Sequence, residues 1–75
     1  MPPQPQREFT PTDQRIMRTL YQTKVWLTAY EVAKLIKVSY PTSKNHLDDL
    51  VTDKIIITCM SKGKRMYKFN FEMFP

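Results

Sequence analysis

Thr28-Ala29-Tyr30-Glu31-Val32-Ala33-Lys34-Leu35-Ile36-Lys37-Val38-Ser39-Tyr40-Pro41-Thr42 decides how the rest of the chain is read. Thr28 followed three residues later by Glu31 is a capping box, in which the hydroxyl and the carboxylate each satisfy a backbone N–H that a helix leaves without a partner at its start. Leu27 and Val32 stand at the two positions of a hydrophobic staple, which fixes how the chain enters that helix. The helix so opened covers residues 28–37, with Val32, Leu35 and Ile36 expected inside, Ala33 allowing close approach, and Lys34 and Lys37 in solvent. Immediately after it, Ser39 is a natural N-cap and Pro41 is tolerated in a first turn, so a second helix begins after a tight turn. Leu47, Leu50 and Val51 of this second helix face the core. Its opposite face presents Tyr40, Pro41, Thr42, Lys44, Asn45, Asp48, Asp49 and Thr52.

Downstream, residues 55–60 and 65–71 read as strands joined by Ser61-Lys62-Gly63-Lys64-Arg65. Gly63, the one glycine in the chain, falls where the connecting turn needs positive φ. Tyr67, Phe69 and Phe71 alternate with Met66, Lys68 and Asn70, so one face of the second strand is core. Lys62, Lys64, Arg65 and Lys68 gather near the hairpin tip. Two helices joined by a tight turn and followed by a basic hairpin make a helix-turn-helix with a wing. The second helix can then enter a DNA major groove while the hairpin reaches the flanking backbone.

Upstream, Thr10-Pro11-Thr12-Asp13 starts another helix, with Thr10 as N-cap, Pro11 at the first helical position and Asp13 favourable to the positive helix end. It runs to about Gln22 and carries Ile16, Met17, Leu20 and Tyr21 on one face. Val25-Trp26-Leu27 is rich in β-formers and is expected to add a short third strand, with Trp26 as a core anchor. Residues 1–8, with three prolines, are expected to be a flexible tail, and residues 9–75 a single α+β domain. An arm carrying Arg7 could enter a minor groove, although a plain mobile end is the simpler reading. The apolar end Glu72-Met73-Phe74-Pro75 either folds back on the body or contacts another subunit.

Composition narrows the function. A domain of 75 residues buries only about 60 to 65% of its unfolded surface, which leaves little room for an enclosed catalytic pocket. A formal charge of +5 favours partners that carry phosphate. The single Cys59 cannot form an intrachain disulfide, and no apolar run approaches the ~20 residues that cross a bilayer. A cytoplasmic protein without a membrane partner is therefore expected.

Taken together, the stretch from Leu27 to Leu50 resembles the winged helix-turn-helix regulators of prokaryotes, such as the MarR-like and ArsR-like families. The resemblance covers roughly residues 10–71 and rests on the capped Glu-x-Ala-x-x-Ile segment, the Ser-x-Pro-Thr opening, His46-Leu47 followed by Leu50, and the Lys-Gly-Lys-Arg wing. It implies a small transcriptional regulator, in such families often a repressor, that binds double-stranded DNA. Ser39, Tyr40, Pro41, Thr42, Lys44 and Asn45 then fall at the opening of the groove-reading helix, and Lys62, Lys64 and Arg65 at the positions of wing contacts. The residue types suit those roles. Asn pairs bidentately with adenine, Pro and Thr contact a thymine methyl, Tyr and Lys bind phosphate, and Arg suits a narrow minor groove. The chain departs from the pattern at Ser43, where an apolar residue is usual, and at Asp48 and Asp49, where basic ones are. Residues 39–54 hold two lysines against three aspartates, a net −1, so base contacts are expected in the first two turns, with both carboxylates lying beyond the groove.

Other chemistries find little support. One His and one Cys cannot make a closed zinc site, and a single glycine cannot build a phosphate loop. Ser43, His46 and Asp49 radiate around a helix rather than converge as a triad, so no catalytic residue, cofactor or small-molecule effector is indicated. The serious rival is a winged-helix module for protein–protein interaction, favoured by the acidic end of the recognition helix and by Phe71, Met73 and Phe74. Three or four base contacts at about 1 to 3 kcal/mol each only approach the ~4 to 10 kcal/mol that separates specific from non-specific binding. A homodimer on DNA is therefore expected.

Overall fold

The computed structural model describes residues 8–73. The Pro-rich tail with its Arg7 therefore lies, except for Glu8, outside the described residues, as does Phe74. Three helices, α1 (Pro11–Thr23), α2 (Ala29–Ile36) and α3 (Tyr40–Thr52), pack against a sheet of β1 (Leu27–Thr28), β2 (Ile56–Ser61) and β3 (Lys64–Phe69). The sheet is antiparallel, in the order β1-β3-β2.

Side chains near the ends of the helices set their boundaries. Thr10 and Asp13 form a capping box at α1, each accepting a backbone N–H of the other at 3.1 Å. Thr28 and Glu31 do the same at α2, at 3.0 and 3.1 Å, and Ser39 accepts the Thr42 N–H at 3.3 Å to open α3. At the other ends stand lysines in the left-handed region: Lys24 after α1 (φ 58°), Lys37 after α2 (φ 61°) and Lys54 after α3 (φ 64°). This conformation turns the chain out of the helix and lets the following N–H groups reach back to its last carbonyls. Val38 N–H, for example, donates to Ala33 O at 3.0 Å, and Ile55 N–H to Leu50 O at 3.1 Å.

The core is shared by every element: Ile16 and Leu20 of α1, Val32 and Ile36 of α2, Leu47 and Leu50 of α3, and Leu27, Ile56, Tyr67 and Phe69 of the sheet. Two expectations fail here. Leu35 is 57% exposed, because the buried stripe of α2 runs through Ala29, Val32, Ala33 and Ile36, and at ~100° per residue Leu35 lies off that stripe. Trp26 is 36% exposed rather than anchored in the core. Leu27 takes the inward position opposite Tyr67, so the alternation of faces sends its neighbour outward, where the Lys68 ammonium lies 5.8 Å from the Trp26 ring. Lys68 is accordingly drawn to the base of the hairpin, away from the tip. The third strand exists, but at Leu27–Thr28 rather than 25–27.

The first hairpin strand lies one residue later than expected, while the second begins one residue earlier and ends two earlier, so Phe71 lies past the end of β3. Ser61 pairs with Lys64, leaving Lys62 and Gly63 as a two-residue loop with φ of 52° and 76°. Positive φ at both central residues is the turn whose twist matches that of paired strands. Phe71 nonetheless packs beside Tyr21 and Phe69, with ring centroids 5.6 and 5.0 Å away.

Candidate nucleic-acid interface

Ser39 is spent on local structure: besides capping α3 its hydroxyl donates to Thr42 Oγ1 at 2.8 Å, which orders both side chains at the helix opening. Tyr40, Pro41 and Asn45 are exposed on the first turns of α3, and Thr42 and Lys44 are half-buried. At the far side of a cleft of about 600 Å³ stand Lys64 and Arg65 of the wing, facing Tyr40 and Lys44 of α3 and Thr28 to Tyr30 at the start of α2. Of the nine residues expected at the site, Tyr40, Lys44, Lys64 and Arg65 meet in this cleft. Lys62 stands at the exposed wing tip, and Pro41, Thr42 and Asn45 follow Tyr40 along α3.

The floor beside the cleft holds an arrangement that sequence reading missed. Asp48 points back toward the wing: its Oδ2 accepts from Lys44 Nζ at 2.9 Å, and its Oδ1 accepts from the Tyr67 hydroxyl at 2.9 Å. Arg65 Nη1 lies 3.9 Å from the same Oδ1. Partial burial pulls the Asp48 carboxyl upward, but the hydrogen bonds from Lys44 and Tyr67 and the nearby Arg65 charge outweigh it and hold the group below its ordinary value. Burial and the Asp48 charge together push the Tyr67 hydroxyl up to about 12. Asp48 is therefore ionised at neutral pH while Tyr67 remains a donor. Alternation along β3 placed Tyr67 in the core, but nothing local in the sequence joins it to a residue 19 positions away.

Two further departures have physical reasons. Ser43 is fully buried, and its hydroxyl donates to Ala29 O at 2.9 Å, so a small polar residue ties α3 to the start of α2 where an apolar one would only fill space. His46 Nδ1 lies 2.6 Å from Oδ1 of the fully buried Asp13. The contact fastens α3 to the opening turn of α1. Arg15 of α1 also donates to Ile36 O at the end of α2.

A helix pair joined across Lys37 to Ser39, a hairpin closed into a sheet by a strand from before the pair, and wing cations facing the first turn of the third helix decide the architecture. The fold is a winged helix. No protein-family model and no curated protein matches the sequence, but solved structures do match the fold. The ST1889 protein of the thermoacidophilic archaeon Sulfolobus tokodaii superposes with a TM-score of 0.76 over 88% of this chain and 69% of its own, at 22% identity. ZitR of Lactococcus lactis, a zinc-responsive MarR family member, superposes with a TM-score of 0.73 over 95% of this chain at 15% identity, and this winged helix spans 50% of its length. The MarR-like winged helix expected from the sequence is thus shared at the level of fold. Among the described residues no helix is long and apolar enough to cross a membrane, and no group of three or more His, Cys, Asp or Glu side chains could hold a metal ion.

Proposed function

We propose that the chain binds double-stranded DNA sequence-specifically as a small transcriptional regulator, with α3 in the major groove and the wing on the backbone or in the minor groove. The observation that carries this reading is the cleft in which Lys44 and Tyr40 of α3 face Lys64 and Arg65 of the wing. A phosphate strand in that cleft meets donors from both sides and the positive ends of two helices. With the backbone so held, the exposed Asn45 and the first-turn Pro41 and Thr42 are left to read base edges. A cytoplasmic repressor acting as a homodimer without a cofactor is the simplest form of this proposal.

Charge reversal tests it. Replacing Lys62 and Lys64 together by Glu spares the Asp48 arrangement. It should weaken binding to a mixed-sequence duplex at least ten-fold at low salt and flatten the salt dependence by about two phosphate contacts. Unchanged affinity in a folded double variant would remove DNA as the partner. The rival reading, a protein-interaction module, is favoured by the exposed Leu35 and Val25 and would gain from that result.

A further inference from the structure

Asp48 is a carboxylate set among the cations that the proposed function assigns to phosphate, and its surroundings show how it is kept there. Lys44 is one helical turn before it, and their side chains are 45% and 36% exposed. An exposed pair of this kind contributes little stability. What distinguishes it is the third partner: Tyr67 is buried in the core, and its hydroxyl holds Asp48 Oδ1. The carboxylate is thereby tethered to β3, whereas the Lys44 and Arg65 side chains are held only by Asp48 among the contacts described above.

We propose that Asp48 is a specificity-determining positioning residue, an internal counter-anion that holds Lys44 and Arg65 at the mouth of the cleft and restrains them from seeking phosphates elsewhere. The inference rests on the DNA-binding reading and goes beyond it. An ammonium has three N–H donors and a guanidinium five, so each cation can keep Asp48 and still offer donors to a phosphate entering the cleft. A duplex docked in register on α3, as the proposed function has it, sends such a phosphate into the cleft. A duplex docked out of register places its phosphates elsewhere, and the same cations must first leave a fixed carboxylate. Asp48 therefore penalises sequence-independent binding more than specific binding.

Asp48→Asn removes the charge while keeping an oxygen for Tyr67 to donate to. Two fluorescently labelled duplexes serve as probes: one of mixed sequence, and one enriched by selection with the unaltered protein. Titrated over a range of salt, D48N should bind the mixed duplex roughly ten-fold more tightly at low salt. Its salt slope should steepen by about one to two phosphate contacts. Affinity for the selected duplex should change less, so the ratio between the two falls. Equal effects on both duplexes, an unchanged slope, or a selection that enriches no sequence would overturn the proposal. If the unaltered protein binds neither duplex, the DNA-binding reading itself fails. If it binds both and D48N behaves identically, only the role of Asp48 is lost. Should D48N not fold, Asp48→Ser carries the same test, and failure of both to fold would overturn the proposal by making Asp48 structural.

Discussion

Tyr67 is where the core and the candidate interface touch. Its ring is 1% exposed while its hydroxyl reaches Asp48 on the flank of the cleft. Tyr67→Phe keeps the packing and removes one hydrogen bond to a charged acceptor, so it should destabilise the fold by about 1.5 to 3 kcal/mol in chemical denaturation at neutral pH. The pH dependence follows from the raised hydroxyl. A proton held up to about 12 in the fold, against 10.0 ordinarily, contributes stability below pH 10 that is lost as pH rises toward 12. The stability gap between the native chain and Tyr67→Phe should therefore close over that interval, and a gap that stays constant would show that the hydroxyl is not held as described. Residue identities at the site were readable to the extent that they are local. Tyr40, Lys44, Lys64 and Arg65 could be named from motif position and charge. Asp48 and Ser43 read only as departures, Asp13 only as a helix-start residue and His46 only as part of the motif, because each finds its partner in another element, across 14 to 33 positions of chain.

The elements were legible at their N-terminal ends and less so on their faces. Each helix start is written in side chains one to three residues apart, so the caps at Thr10, Thr28 and Ser39 fell where expected. Which side of α2 is buried depends on where its neighbours sit, and the eight residues of Ala29–Ile36 are too few turns for periodicity to single out one stripe. Helix ends were harder still, since nothing in a lysine announces a left-handed backbone. That choice has a consequence for stability. A non-glycine residue in this region costs roughly 1 to 2 kcal/mol, partly offset by a positive charge at the negative end of a helix. Lys54 is exposed, and its carbonyl accepts from Asn70 Nδ2 at 2.9 Å. Glycine preserves that carbonyl. Lys54→Gly should raise stability by about 0.5 to 1 kcal/mol, after allowing for the greater freedom of glycine in the unfolded chain. Thermal denaturation that shows no gain, or a loss, would mean that the lysine side chain contributes more than its charge.

At the scale of the molecule the proposal is a homodimer on DNA. Selecting a site by one copy is marginal on energetic grounds. Two copies on a selected duplex should appear as a two-to-one mass in sedimentation, and a monomer mass at every concentration, free and DNA-bound, would overturn the dimer. Nothing in a single chain's hydrophobic pattern identifies such a partner: the aromatic group of Tyr21, Phe69 and Phe71 is legible as apolar but not as what it faces. The wing's loop bears on how this architecture can change by descent. With only Lys62 and Gly63 between paired strands, the loop itself sets the register of the hairpin. One residue added to a single strand would turn every side chain beyond it to the opposite face, exchanging the pinned Tyr67 for a neighbour. Within its strands, the wing keeps this register when it lengthens by matched pairs of residues. Each such step extends its reach by about 7 Å and leaves the grip on α3 as it was.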